Sequence, residues 1–414
     1  MAGIVGGTTY RGGAVIVRRW FMLALGTAAQ TAACAFVYGV PYLADELRHR
    51  QHLTLTQVGL LVACPTAGLV LALYLWGAAA DRWGERVVIA AGLGGAAGAL
   101  AVAAWGPRGM VAFGGLLVLA GAAGASVYSA SGRLVMGWFS ARERGLAMGI
   151  RQTSTPLGMG VAALAMPPLA GGHGLTGAIG FLAALCGAIA VLIAVFAADP
   201  ARPKAAASEP APNPYRGSNL LWRIHGSAAL LVVPQFTAGA FALVLLVDVR
   251  GWSPVHAGQL IAVAQGLGAL SRILVGRWSD RVGNRLRPMR QLAAATAAVV
   301  AAAAVSTAFP SPLTPVLLVA AIALTSSTNG LSFTSTAERA GPAWSGRALG
   351  VHNTGQNLTA AVVPPVMAVI ISATAYWPGF GLAAAAACVA AVIVPVPSPV
   401  AATADAGAGR TISA

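Results

Sequence analysis

The stretch Tyr74–Ala90, "YLWGAAADRWGERVVIA", places four charges, Asp81, Arg82, Glu85 and Arg86, between two long apolar runs. Ile273–Arg287, "ILVGRWSDRVGNRLR", makes the same interruption again. Gly276, Asp280, Arg281, Gly283 and Arg285 repeat the spacing of Gly77, Asp81, Arg82, Gly84 and Arg86. An interruption made twice, 199 residues apart, describes an architecture with two equivalent parts.

The material around these interruptions is lipid-like. Of 414 residues, 57% are apolar and only 9% are charged, against about 25% charged in soluble domains. So few charges cannot cover a water-facing surface, and a bilayer is the natural solvent. The net charge of +15 does not signal a nucleic-acid partner, because the basic residues sit in short gaps between apolar runs and form no basic, aromatic-laced face. Cys34, Cys64, Cys186 and Cys388 all lie within apolar runs without a Cys-x-x-Cys pair, which reads as isolated buried thiols. The six histidines make no ligand spacing, so no metal and no cofactor is expected.

About 20 apolar residues cross the hydrocarbon as a helix. The expected fold is an all-α polytopic membrane protein with spans near 20–44, 55–77, 87–105, 109–137, 145–169, 174–198, 224–248, 255–276, 291–309, 313–335, 346–372 and 375–397. The first run, starting after Arg18 and Arg19, suits a spanning helix better than a cleaved signal. The Pro- and Ala-rich segment Asp199–Arg223 reads as a linker. The expected organisation is a first six-helix half at 1–198, a cytoplasmic linker at 199–223, a second half at 224–397 and a disordered tail at 398–414. With both termini cytoplasmic, the outer loops hold only Arg48, Arg50, Arg108 and Arg250, while the inner loops collect most of the basic residues, as the positive-inside rule requires.

Further anchors share the repeat. Gly59 and Gly258 are also 199 apart, and "GIRQTSTPL" at 149–157 resembles "GVHNTGQNL" at 350–358, an offset of 201. Two pseudo-symmetric six-helix halves in parallel orientation are a transporter architecture.

Gly77-x-x-x-Asp81-Arg82-x-Gly84-x-Arg86 resembles the signature loop of the major facilitator superfamily, and Asp280-Arg281-x-Gly283-x-Arg285 resembles its weaker copy between helices eight and nine. Glu85 departs from the pattern, which usually has a basic residue there. The resemblance covers essentially the whole chain and implies a monomeric carrier of a small solute in the plasma (inner) membrane, working by alternating access. It implies that Asp81 meets the start of the eleventh span near Ser345–Leu349. By symmetry, Asp280 would meet the start of the fifth near Arg144–Met148. These contacts would hold an inner gate shut. Gly77 and Gly276 would allow close helix approach, Gly84 and Gly283 a tight turn, and Arg82, Arg86, Arg281 and Arg285 would pair with acids or lipid phosphate. The plainer alternative is that the charges end helices and obey topology.

Polar residues inside spans are the substrate candidates, since each is costly in lipid. Arg272 lies eight residues before Asp280, about 12 Å along the helix. Arg-x-x-x-Gly-x-x-x-Asp at this point resembles carriers of monocarboxylates and nitrate-like anions, where the Arg holds the anion. A guanidinium fork matches a carboxylate with two parallel hydrogen bonds. Nitrate-like carriers have a matching Arg in the first half; here that position is Leu73. Arg151 and Gln152 have His352 and Asn353 as symmetry mates, and these four line the cavity or form a polar seam between helices. Gln30, Gln235, Gln265, Tyr38 and Tyr128 complete the candidates, each with a helix–helix hydrogen bond as its alternative. No Asp or Glu falls clearly at mid-membrane. The expected substrate is a small organic anion, travelling alone, in exchange or with a proton or other ion. His352, Asp45 and Asp248 are the candidate proton acceptors. A proton-coupled multidrug exporter is the alternative; its helix-five signature is matched only by Pro167-Pro168-x-x-Gly171-Gly172. An enzyme is not expected, because no Ser/His/Asp arrangement, metal cluster or phosphate-binding loop is present in the sequence.

Overall fold

The computed structural model describes residues 9–43, 46–106, 109–200, 212–309 and 311–396. The 398–414 tail, residues 201–211 of the linker and Asp45 lie outside the described residues. Among the described residues the ordered elements are all helical. The first half contains α1 (Thr9–Val37), α2 (Leu55–Trp83), α3 (Glu85–Trp105), α4 (Met110–Trp138), α5 (Arg144–Gln152) and α6 (Ser154–Phe196). The second contains α7 (Leu220–Val244), α8 (Pro254–Val282), α9 (Leu286–Ala308), α10 (Thr314–Thr325), α11 (Asn329–Ala340), α12 (Ser345–Ala373) and α13 (Tyr376–Ile393).

Among the described residues, eleven helical stretches are long and apolar enough to cross a membrane. One of them, Arg144–Phe196, has 53 residues. At about 80 Å it is far too long for one crossing, and it is broken at Gly174, where φ is +66°. It therefore supplies two crossings, which makes twelve in all. Exposed Leu71, Val111, Leu164 and Val392 give the bundle the apolar exterior that lipid requires.

Several boundaries differ from the sequence expectation. The α2 helix continues through Asp81 and Arg82 to Trp83, and α3 starts at Glu85, so the signature is a helix end and not a loop. Only Gly84 separates the two helices, at φ +93°; its counterpart Gly283 has φ +65°. Both angles lie in the positive-φ region that favours glycine. The apolar run ends at the lipid boundary, but the backbone hydrogen bonding does not, so hydropathy placed the end of α2 six residues early.

The two halves repeat in detail. Thr54 caps α2 in a reciprocal box with Gln57, and Ser253, 199 residues later, caps α8 through His256 N–H. One apolar core draws only on residues 22–197, and two others only on 221–394. A fourth cluster bridges the halves, joining Leu23, Met136 and Met148 to Phe333, Ala337 and Leu349. It lies at the end of the bundle where the signature motifs sit.

Candidate functional site

Two mirrored contacts close that end. Asp81 accepts from Gly346 N–H at 2.9 Å and Arg347 N–H at 3.1 Å, the first turn of α12. Asp280 accepts from Gly145 N–H at 2.9 Å and Leu146 N–H at 2.7 Å, the first turn of α5. Free N–H groups and the positive dipole end of a helix start suit a carboxylate. Beside each acid two glycines cross. A methyl group on Gly77 would lie 2.4 Å from the Gly346 carbonyl oxygen, and one on Gly276 would lie 2.1 Å from that of Gly145. One turn further in, Gly350 abuts the backbone of Leu73, and Gly149 abuts that of Arg272.

The surrounding cations break the symmetry. Asp81 pairs with Arg133 of α4, whose Nε also meets Glu85 Oε1 at 2.5 Å and whose Nη2 donates to the Ala80 carbonyl at 2.8 Å. Glu85, the departure from the family pattern, is thus the buried second carboxylate of this guanidinium. Asp280 instead pairs with Arg285 of its own turn at 2.5 Å, and Arg285 also donates to Ala141 O at 2.5 Å. Arg86, the counterpart of Arg285, turns to the Ala194 carbonyl. The Arg86 N–H at the start of α3 is held by Asp199 at 2.8 Å. Arg82 and Arg281 are exposed, Arg82 lying over the Trp83 ring at 5.8 Å. With Arg82 and Arg281 exposed and Arg86 turned to Ala194, Arg133 takes the place next to Asp81.

Substituting Gly276→Val is expected to force α5 and α8 apart, because the new side chain would overlap Gly145 backbone that cannot move aside. Labelling of a cysteine introduced at buried Ser279 would then be faster than in the same reporter without the valine. Equal labelling rates would mean that the crossing is not what seals this end.

Between the halves lies a polar cavity of about 80 Å³, room for roughly half a dozen waters. Arg151 and Arg272 both line it and are almost fully buried. Arg151 reaches across α5 to α1 and α4, donating to Gln30 Oε1 at 2.9 Å and Ser131 Oγ at 2.6 Å. Arg272 Nε donates to the Ser326 carbonyl at 3.1 Å. That carbonyl is available because the helix is interrupted at 326–328, between α10 and α11. Among the described residues the Arg272 terminal nitrogens have no protein acceptor, and no carboxylate lines the cavity. Gln356 Nε2, also at the cavity, is buried without a partner.

Of the other sequence candidates, Gln30, Tyr38, Tyr128, Gln152, Gln235 and Asn353 line this cavity. Tyr38 O–H donates to Asn357 Oδ1 at 3.3 Å, and Asn353 Nδ2 donates to the Tyr128 carbonyl at 3.0 Å, which ties the halves together. Two candidates do not line it. Gln265 lies about 10 Å further along α8 than Arg272 and is exposed. His352, one residue and about 100° around α12 from Asn353, points into the second half and faces His225 at 3.0 Å. Thr155, Asn329, Gln356 and Asn357 were missed. All but Asn329 stand three or four residues beyond Arg151, Gln152 and Asn353 on the same helix faces, so helical periodicity would have found them. Among the described residues no group of three or more His, Cys, Asp or Glu could hold a metal ion.

A helical bundle of twelve crossings in two halves, closed at one end by mirrored contacts around a central polar cavity, is the build of a membrane carrier. Residues 20–364 match the Major Facilitator Superfamily, and the chain belongs to that family. A Mycobacterium tuberculosis protein described as an uncharacterized MFS-type transporter is 42% identical over 361 residues, covering 86% of this chain and 80% of its own. The human organic anion transporter TETRAN superposes with a TM-score of 0.72 at 17% identity, over 91% of this chain and 99% of its own. FucP in its outward conformation gives 0.71 at 15% identity, over 91% and 98%. At such identities the two structures share the fold alone. The chain is accordingly a multi-pass transporter and not an enzyme.

Proposed function

We propose that this carrier moves a small organic anion, of the monocarboxylate type, across the plasma (inner) membrane by alternating access, as a monomer with both termini cytoplasmic. The observation that carries the reading is the pair Arg151 and Arg272: two buried guanidiniums on one cavity, with no carboxylate beside them among the described residues. Burying a cation is costly unless something offsets it, and an anionic solute supplies what the protein does not. The Arg272 terminal nitrogens suit a carboxylate fork, and the Gln356 amide adds a donor. The volume favours a solute of a few heavy atoms. The mirrored Asp81 and Asp280 contacts act as the gate on the cytoplasmic side.

Thermal-shift screening of the detergent-purified protein against short monocarboxylates, dicarboxylates and cationic dyes tests the reading. Monocarboxylates are expected to raise the unfolding midpoint, since a ligand at about 100 times its Kd adds roughly 2.7 kcal/mol. Stabilisation by cationic dyes alone would overturn it in favour of drug export.

A further inference from the structure

His225 of α7 and His352 of α12 face each other through Nδ1 and Nδ1 at 3.0 Å, both rings buried. Two such nitrogens this close cannot both carry hydrogen, nor can both lack it. With both rings neutral, one Nδ1–H donates and the other Nδ1 accepts. The outer nitrogens continue the chain. His225 Nε2 lies 2.9 Å from the Tyr215 hydroxyl, and His352 Nε2 lies 3.1 Å from Ser332 Oγ. The line Tyr215–His225–His352–Ser332 therefore has two polarities, the second of which turns the Ser332 hydroxyl away from the Asn329 carbonyl that it meets at 2.9 Å. In one, Tyr215 donates to His225, His225 to His352, and His352 to Ser332. In the other, every bond is reversed. Passing from the first to the second moves one hydrogen across each link, takes up a proton at the Tyr215 oxygen and releases one from Ser332 Oγ.

The same geometry sets a capacity. A single added proton leaves one ring doubly protonated. If that ring is His225, it donates from Nε2 to Tyr215 and from Nδ1 to His352, which still donates to Ser332, so every partner is kept. A second proton would put N–H against N–H and break the pair.

Uncharged groups enclose the pair. Thr336 of α11 offers a hydroxyl 3.2 Å from His352 Nδ1, and the Phe333 ring stacks edge-on at 4.8 Å. Trp222 of α7 lies against His225. Among the described residues no carboxylate or guanidinium pairs with either ring. The titratable neighbours are Tyr215 and, beyond it, Tyr74 of α2. Burial, with Tyr74 adding to it, pushes the Tyr215 phenol up to about 12, so it keeps its proton and remains a donor. Tyr215 is half-buried beside exposed Arg216, at the motif end. Phe333 and Asn353, next to Ser332 and His352 in the chain, line the central cavity. The line thus runs from the surface to the cavity wall, where Phe333 intervenes.

We propose that His225 and His352 form the proton-coupling site of this carrier, holding one proton between them, with Tyr215 as its mouth. The proposal rests on the anion-carrier reading only for the solute that travels with the proton. Because α12 also carries the turn that Asp81 holds, charging this pair acts on the same helix that closes the gate.

The test uses the full chain in two settings. In nanodiscs, ring-nitrogen resonances of ¹⁵N-histidine-labelled protein are titrated across the range where histidine ordinarily changes charge, about pH 5 to 8, and below it. One proton shared by the two rings is expected, and its loss in His225→Gln and in His352→Gln. In proteoliposomes, an imposed proton gradient is expected to drive accumulation of radiolabelled L-lactate. Either Gln variant is expected to lose that accumulation while lactate–lactate counterflow persists. Tyr215→Phe keeps the ring at the surface and is expected to slow accumulation without changing counterflow, which serves if the buried variants do not fold. Rings that take up no proton, or gradient-driven accumulation unchanged in the variants, would overturn the proposal. Absence of lactate counterflow in the unsubstituted protein would count against the anion reading alone, and the ring titration would then decide the proton site.

Discussion

Arg272→Leu is expected to abolish stabilisation by any monocarboxylate that stabilises the unsubstituted protein, and to leave the fold intact. The leucine keeps the apolar stem that packs in α8 and removes only the fork. In the folded state it frees one acceptor, the Ser326 carbonyl, at the edge of a polar cavity where water can replace the donor. The effect on binding is larger. Charge-assisted hydrogen bonds contribute about 1.5–3 kcal/mol each, so losing the two bonds of the fork lowers affinity by roughly two to four orders of magnitude. Arg272→Lys restores the charge without the fork and is expected to recover only part of it. The measurement is the midpoint shift produced by each anion, compared across the three proteins. A monocarboxylate shift that survives in Arg272→Leu would remove this residue from the site.

Arg133→Leu is expected to have the largest effect on stability. It removes the cation shared by Asp81 and Glu85, and the Glu85 carboxylate is almost fully buried. Breaking a buried ion pair by deleting one partner costs about 3–5 kcal/mol, because the remaining charge stays in a poor solvent. The unfolding midpoint should fall sharply, and Glu85→Leu in the same protein should restore much of the loss, as a double-mutant cycle would record. Asp81 is less affected, since the N–H groups of Gly346 and Arg347 still hold it. A single variant as stable as the parent would show that Glu85 finds another partner.

The sequence carries the architecture in its repeats. Asp81 and Asp280 each need a helix start to bind and a glycine pair beside them, and those needs leave the same marks in both halves. Helix ends were less legible, because the apolar run records where lipid stops while the helix follows its hydrogen bonds, as α2 does to Trp83. Within the cavity, residue type identified the costly groups but not their direction. His352 and Asn353 are neighbours in sequence, yet one looks toward His225 and the other into the cavity. The role of Glu85 was hidden for another reason: its partner Arg133 lies 48 positions away, and nothing local announces that pairing.

Arg151 rides on α5 and Arg272 on α8, the two helices that cross at Gly145 and Gly276. The two guanidiniums therefore belong to opposite halves and face one space. On the proposed reading, an empty space sets like charges against each other across the seam, in surroundings that screen them poorly. A bound anion reverses the sign of that force and becomes a rivet between the halves. The Asp280 contact, one face of the same crossing, works against the repulsion when the rivet is out. Occupancy and closure are then one mechanical variable, and the solute is itself a structural member of the carrier for as long as it is on board.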